Sequence, residues 1–374
     1  MRKKDEKKNN RWENLQGFRF AHRGLFRQPA SASRKLPAVI RAETQAPHKA
    51  GHLSGRGMVL SDKSKSRAAA AEGPLWREDV MRWKAEGRRI IPENSMKAFR
   101  MAVRHGFGSE LDVHLTLDGK LVVFHDANLL RMTGVDGTIE KMTWSELSRV
   151  RLLDTSSRIP LLEEVLDLYA GSAAVVCRRS KDARNVAPAS QRDSVTQERK
   201  DKGHAHEADL HLPLIIELKA EGNVRELCSR VMETIDRYPA MNYCIESFDP
   251  RVVYWFRKKR PDVIRGQLTE NFCRSRDAVR KWGYIMTFGM WCGAPDILSR
   301  PDFIASKFRD RKNLIMRLRH RLGVKQVSWT IKNHRQLKDV DREGGLSIFE
   351  RFNPGESWKN RKDQKNQSDQ EISG

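Results

Sequence analysis

Three short apolar runs in the sequence stop at groups that hold metals or move protons: FAHRG at 20–24, ELDVH at 110–114 and LVVFHD at 121–126. Glu110 and Asp112 are two apart on an expected strand, so their side chains share a face. Adjacent buried carboxylates repel unless a cation lies between them, and oxygen ligands suit Ca2+ or Mg2+. Glu217, in the apolar run LIIELK, is a third such carboxylate. A salt-bridged structural role is the alternative for each. Histidine ordinarily titrates near neutrality, which makes His22 and His125 candidates for general acid and base; a satisfied core histidine is the competing reading. Arg23 offers a bidentate fork for a phosphate, and Gly24 lets the backbone turn close to a ligand. Asp126 is placed to fix a His125 tautomer. Lys219 shares a face with Glu217, as its ion partner or as a cation for a phosphoryl oxygen. Asn94 reads as a helix N-cap, which leaves Glu93 to explain. Trp329 ends the run VSWTI, as core or as a ligand platform.

These residues need elements that bring them together. Strands are expected at 18–22, 110–116, 121–125, 214–219, 243–248, 264–268, 303–306 and 327–331. Amphipathic helical patterns lie between most of them, among them 94–105, 160–169, 224–237 and 336–343. Alternating strands and helices predict a parallel sheet, and about eight strands predict a closed (β/α)8 TIM barrel, α/β in class, with a doubly wound open sheet as the alternative. Strand C-terminal ends converge on one rim of such a barrel. Two polar insertions interrupt the pattern. Residues 28–90 hold 13 Lys/Arg against 6 Asp/Glu without a sustained period, and 177–211 are polar throughout. Both are expected to be disordered or long loops, flanked by a charged arm at 1–16 and a polar tail from 353, with the barrel domain spanning 17–352.

The chain has 374 residues and a net charge of +23, which points to an anionic partner or to solvated faces. Its 5 cysteines form no CxxC pair, against a disulfide framework or a zinc site. The charged N-terminus precedes no apolar stretch of signal-peptide kind, and no run reaches membrane-spanning length, so a cytoplasmic location is expected.

In chain order, FAHRG (20–24), PENS (92–95), ELDVHLTLDGKLVVFHD (110–126), RMTGVDG (131–137), IPLLEEVL (159–166), LIIELK (214–219), ESFDP (246–250) and SWTI (328–331) resemble the glycerophosphodiester phosphodiesterase family. The resemblance implies a TIM barrel and a divalent cation, Ca2+ or Mg2+, on Glu110, Asp112 and Glu217. It implies His22 and His125 as the acid/base pair, Arg23 and Lys219 on the phosphate, Glu93 in the polar shell and Trp329 against the alcohol. The implied substrate is a small glycerophosphodiester, cleaved to an alcohol and glycerol 3-phosphate by water or by the neighbouring glycerol hydroxyl. An acidic Thr-Asp pair expected near the C-terminal end is replaced by GGLSIFERFNP, which leaves the last strand's share of the site open. Two other readings compete. One is a phosphodiesterase acting on lysophospholipid or lipid headgroups, with the basic, leucine-spaced segment 307–325 in peripheral contact with an anionic membrane; the plainer reading of that segment is an outer barrel helix. The other is a nucleic-acid-binding protein on an inactive barrel. The basic regions lack interleaved aromatics, and no nucleic-acid-binding signature is present, so no nucleic acid is expected.

Overall fold

The computed structural model describes residues 11–33, 76–172, 211–271, 287–289 and 292–354. Apolar runs bounded by turns become strands β1 (Phe20–Ala21), β2 (Gly108–Leu115), β3 (Leu121–Val123), β4 (Leu214–Leu218), β5 (Tyr243–Ser247), β6 (Arg265–Thr269), β7 (Phe303–Lys307), β8 (Lys325–Ile331) and β9 (Leu346–Phe349). All except β3 pair in parallel, and β1 bonds both β2 and β9, which closes eight strands into a barrel. The open-sheet alternative is excluded by that closure.

The membership of the barrel differs from the sequence expectation at two strands. Leu121–Val123 runs antiparallel to β2. The turn between them has Gly119 at φ +75 and Thr116 Oγ1 donating to Asp118 Oδ1 at 2.6 Å. A connection this short cannot cross over to a parallel strand. The eighth staves are instead Leu346–Phe349, a segment too short and too close to the preceding helix to stand out. His125 therefore reaches the rim from a hairpin.

Inside the barrel the layers separate by polarity. Phe20, Ile215, Cys244, Phe303, Val327 and Ile348 fill the lower interior, over Trp12 and Leu15. The Phe303 ring occupies the space a side chain on Gly266 would take: a Cβ there would lie 2.1 Å from Phe303 Cε2. Above this layer, pairing registers set Asp112 beside Glu217 and Glu217 beside Glu246. Three adjacent strands thus carry carboxylates in one row.

The outer elements include α1 (Arg77–Ala85), α2 (Met96–Arg104), α3 (Leu162–Ala170), α4 (Val224–Ile235), α5 (Pro250–Lys259), α6 (Leu314–Arg321) and α7 (His334–Arg342). The cap of α2 is Ser95, not Asn94: Ser95 Oγ accepts from Ala98 N at 3.2 Å. Asn94 is released for the site. The first insertion is more built than expected, since α1 forms within it and buries Trp76 and Val80. Its described ends meet across the rim, where Arg27 N donates to Ile91 O at 2.8 Å and Ile91 N to Arg27 O at 2.7 Å. The second leaves near the start of β4, and there Leu212 N donates to Ser172 Oγ at 2.9 Å. Residues 34–75 and 173–210, with most of the N-terminal arm and the tail, lie outside the described residues, as do the expectations of disorder made for them. No helix among the described residues is long and apolar enough to cross a membrane.

Candidate active site

Glu110 and Asp112 rise from β2 and Glu217 from β4 into the upper barrel. One ligand oxygen from each lies within 4.8 Å of the others, and all three residues are buried. Burial first, then Asp112 and Glu217, push Glu110 well above the usual carboxylate range. Glu217 is raised to about 7 by burial, with Lys219 opposing and Asp112 adding. Glu246 is also raised by burial and then by Glu217 and Asp112. Its Oε2 is buried with no hydrogen-bond partner. An all-oxygen set, crowded with negative charge and holding an unsatisfied buried carboxylate oxygen, fits a hard divalent cation. Asp112 behaves differently. Against its own burial, Lys219, His125 and Arg23 hold it well below the usual range.

Cations clamp this cluster from two sides. Lys219 Nζ stands 2.6 Å from Glu217 Oε1 and 2.8 Å from Asp112 Oδ1. Arg23 donates its backbone N–H to Glu110 Oε2 at 3.0 Å and Nη1 to Glu93 Oε1 at 2.7 Å. Its φ of +52 and Gly24 at +76 fold the chain sharply after β1. Any Cβ at Gly24 would come within 2.8 Å of Ala98 in α2, so the turn admits only glycine. Asn94 Nδ2 donates to Asp112 Oδ2 at 2.8 Å.

Glu93 explains itself as a hub. It accepts from Arg23, from Arg131 Nη2 at 2.6 Å and from Gln28 Nε2 at 2.8 Å. Burial would raise its pKa, but Arg131 and Arg23 outweigh that and hold it at about 2. Arg131 Nε also donates to Asp126, so one guanidinium ties Glu93 to the His125 loop.

Both histidines are braced in the same way. His22 Nδ1 lies 3.0 Å from Glu350 Oε2 and its Nε2 3.9 Å from Glu110 Oε2. His125 Nδ1 lies 2.6 Å from Asp126 Oδ1. An ionised carboxylate only accepts, so each Nδ1 carries the proton and each Nε2 keeps its lone pair. Burial, then Arg23, lowers the His22 pKa. Burial, Arg23 and Lys219 push His125 down to about 3. Glu350, despite its burial, is held at about 2 by the His22 hydrogen bond and nearby positive charge.

Of the residues singled out in the sequence, Glu110, Asp112, Glu217, Lys219, Arg23, Glu93, His22 and His125 join one polar network. Trp329 shares the rim but not the network. It packs edge-on against Phe248 at 6.0 Å, with Lys307 Nζ 5.4 Å from its ring centre. His114, in the same motif, is braced by Glu140 Oε1 at 2.6 Å and faces the His125 carbonyl at 3.4 Å. The sequence reading missed Glu246, Arg131 and Glu350. Glu246 was findable, being a carboxylate in an apolar run like Glu217. The Thr-Asp pair stays absent near the C-terminal end, but Glu350 directly follows β9 and brings a carboxylate to His22. Arg131 sits outside any strand, in a short helical turn, and carries no local signal.

Fold and site together define a TIM-barrel protein with an acidic, histidine-bearing rim. A glycerophosphoryl diester phosphodiesterase family model matches residues 85–346, and the chain belongs to that family. Among curated relatives, a glycerophosphodiester phosphodiesterase of Bacillus altitudinis is 45% identical over 84 residues, 21% of this chain and 34% of that protein. A lysophospholipase D of Rattus norvegicus is 39% identical over 90 residues, again 21% of this chain and 29% of its own length. The chain thus spans only about a third of the curated relatives it matches. A crystal structure of a Silicibacter pomeroyi protein of the same family name superposes with a TM-score of 0.50 at 19% identity, covering 71% of this chain and 86% of the other. That likeness is one of fold.

Proposed function

We propose that this chain is a divalent-cation-dependent phosphodiesterase that cleaves glycerophosphodiesters to an alcohol and glycerol 3-phosphate. The observation that carries this is the three-carboxylate cluster flanked by two histidines, each braced at Nδ1 by its own carboxylate. Glu110, Asp112 and Glu217 would hold the cation, with Glu246 beside them. When bound, a divalent cation supplies Lewis-acid polarisation of the phosphoryl oxygens and offsets the charge gained in the transition state. Arg23 and Lys219 exchange part of their carboxylate contacts for phosphate oxygens and orient the diester. One histidine Nε2 takes the proton of the attacking hydroxyl. The other, protonated as the anionic diester settles against it, returns a proton to the leaving alkoxide. Trp329 and Phe248 offer an apolar wall for the departing alcohol.

The test is release of glycerol 3-phosphate from glycerophosphocholine with Ca2+, with Mg2+ and with chelator, for the wild type and His22→Ala. Cation-dependent release that His22→Ala abolishes supports the reading. Release untouched by the substitution removes His22 from the chemistry. A lysophospholipid substrate is the second reading, favoured by the rat relative's name and by the leucines of α6, which face solvent. It predicts release of choline and lysophosphatidic acid from lysophosphatidylcholine, with glycerophosphocholine left uncleaved.

A further inference from the structure

The outward face of α6 is apolar and basic at once. Leu314, Leu318 and Leu322 recur every four residues and are 74%, 57% and 73% exposed. The helix buries Met316 and Arg319 instead, so these leucines do not serve the core. Arg317 and Arg321 precede Leu318 and Leu322, also exposed and on the same face. Neither arginine has an ion-pair partner among the described residues. No acidic residue occurs between Arg311 and Lys325. Arg319 pairs with Asp296 and so holds the short helix Asp296–Ser299 against α6. That helix adds two more solvent-facing side chains, Ile297 and Leu298.

A monomer seldom leaves such a set in water, and the pattern specifies its partner. Leucines interleaved with arginines, with no acid among them, match a surface that is anionic outside and apolar just beneath. A nucleic acid would engage the arginines and gain nothing from the leucines. The net charge of +23 draws the whole chain toward the same kind of surface.

We propose that α6 docks this protein on an anionic lipid bilayer, with Leu314, Leu318 and Leu322 entering the interface and Arg317 and Arg321 meeting lipid phosphates. The surface lies on the outer helix ring, apart from the strand-end site. It concerns where the protein works, whichever diester it cleaves.

The experiment is flotation of the full chain with vesicles of phosphatidylcholine, with and without phosphatidylglycerol. Binding should require phosphatidylglycerol and weaken as salt rises. Arg317→Gln and Arg321→Gln should each weaken partitioning about fivefold. Replacing all three leucines by serine should abolish flotation while leaving the thermal midpoint unchanged, because exposed positions contribute little to folding. Three results would overturn the proposal: wild-type protein that does not float, a leucine variant that floats like the wild type, or leucines that prove necessary for self-association in light scattering but not for vesicle binding. The second would move the contact to another basic segment, and the third would make the occupant a second copy of this chain.

Discussion

At the scale of single residues the site is a set of charges that hold one another in place. Glu350 is the clearest case, because among the described residues it meets the proposed acid/base pair through His22 Nδ1. Glu350→Gln keeps the size and removes the obligatory acceptor, so the ring is free to take the wrong tautomer. We expect kcat to fall by roughly 10²–10⁴ with KM little changed, from steady-state kinetics. Glu93 has a structural duty. With its pKa at about 2 in the folded chain against an ordinary 4.5, it binds its proton more weakly folded than unfolded. Its contribution is therefore complete above about pH 4.5 and disappears as pH falls toward 2. In Glu93→Gln, half-buried Arg23 and buried Arg131 lose their shared counterion, and chemical denaturation at neutral pH should show a loss of about 3–5 kcal/mol. Between pH 4.5 and 2 the variant's stability should fall less steeply than the wild type's.

At the scale of elements, fit decides. Gly266 is forced by the Phe303 ring, and Gly266→Ala should cost about 1–3 kcal/mol in thermal melts. Trimming the ring with Phe303→Leu should recover part of that loss, which a double-mutant cycle would show. The same scale explains what the sequence conveyed. Runs such as LIIEL and YCIES are mostly apolar because parallel strands are buried on both faces, so their existence and the acids that interrupt them stood out. LVV was equally apolar, and only the turn at Asp118 and Gly119 distinguished a hairpin from a stave. The α2 cap was misplaced by one residue because Asn94 and Ser95 are both good caps. A contact with Asp112, far away in sequence, claimed Asn94 and settled the choice. Arg131 was illegible for a related reason: Glu93 and the Ala32 carbonyl reach it from distant parts of the chain.

At the scale of the whole molecule, the barrel concentrates unfavourable charge at one end and stays folded through apolar packing at the other. A bound divalent cation would relieve the repulsion among Glu110, Asp112, Glu217 and Glu246. Such binding to the folded state alone adds about 2.7 kcal/mol when the free cation is 100 times its Kd. Calorimetry should show a midpoint that rises with added Ca2+ or Mg2+ and returns with chelator. Asp112→Asn should remove most of that rise.

The two long excursions begin and end at sealed points, Arg27 against Ile91 at the rim and Ser172 against Leu212 at the base. A closed loop adds only about 0.6 kcal/mol of ordering cost each time its length doubles. By chain entropy alone, a change of length between Ser172 and Leu212 therefore costs the barrel little. The excursion at the rim is more constrained, because Gln28 and the Ala32 carbonyl on its near side hold Glu93 and Arg131.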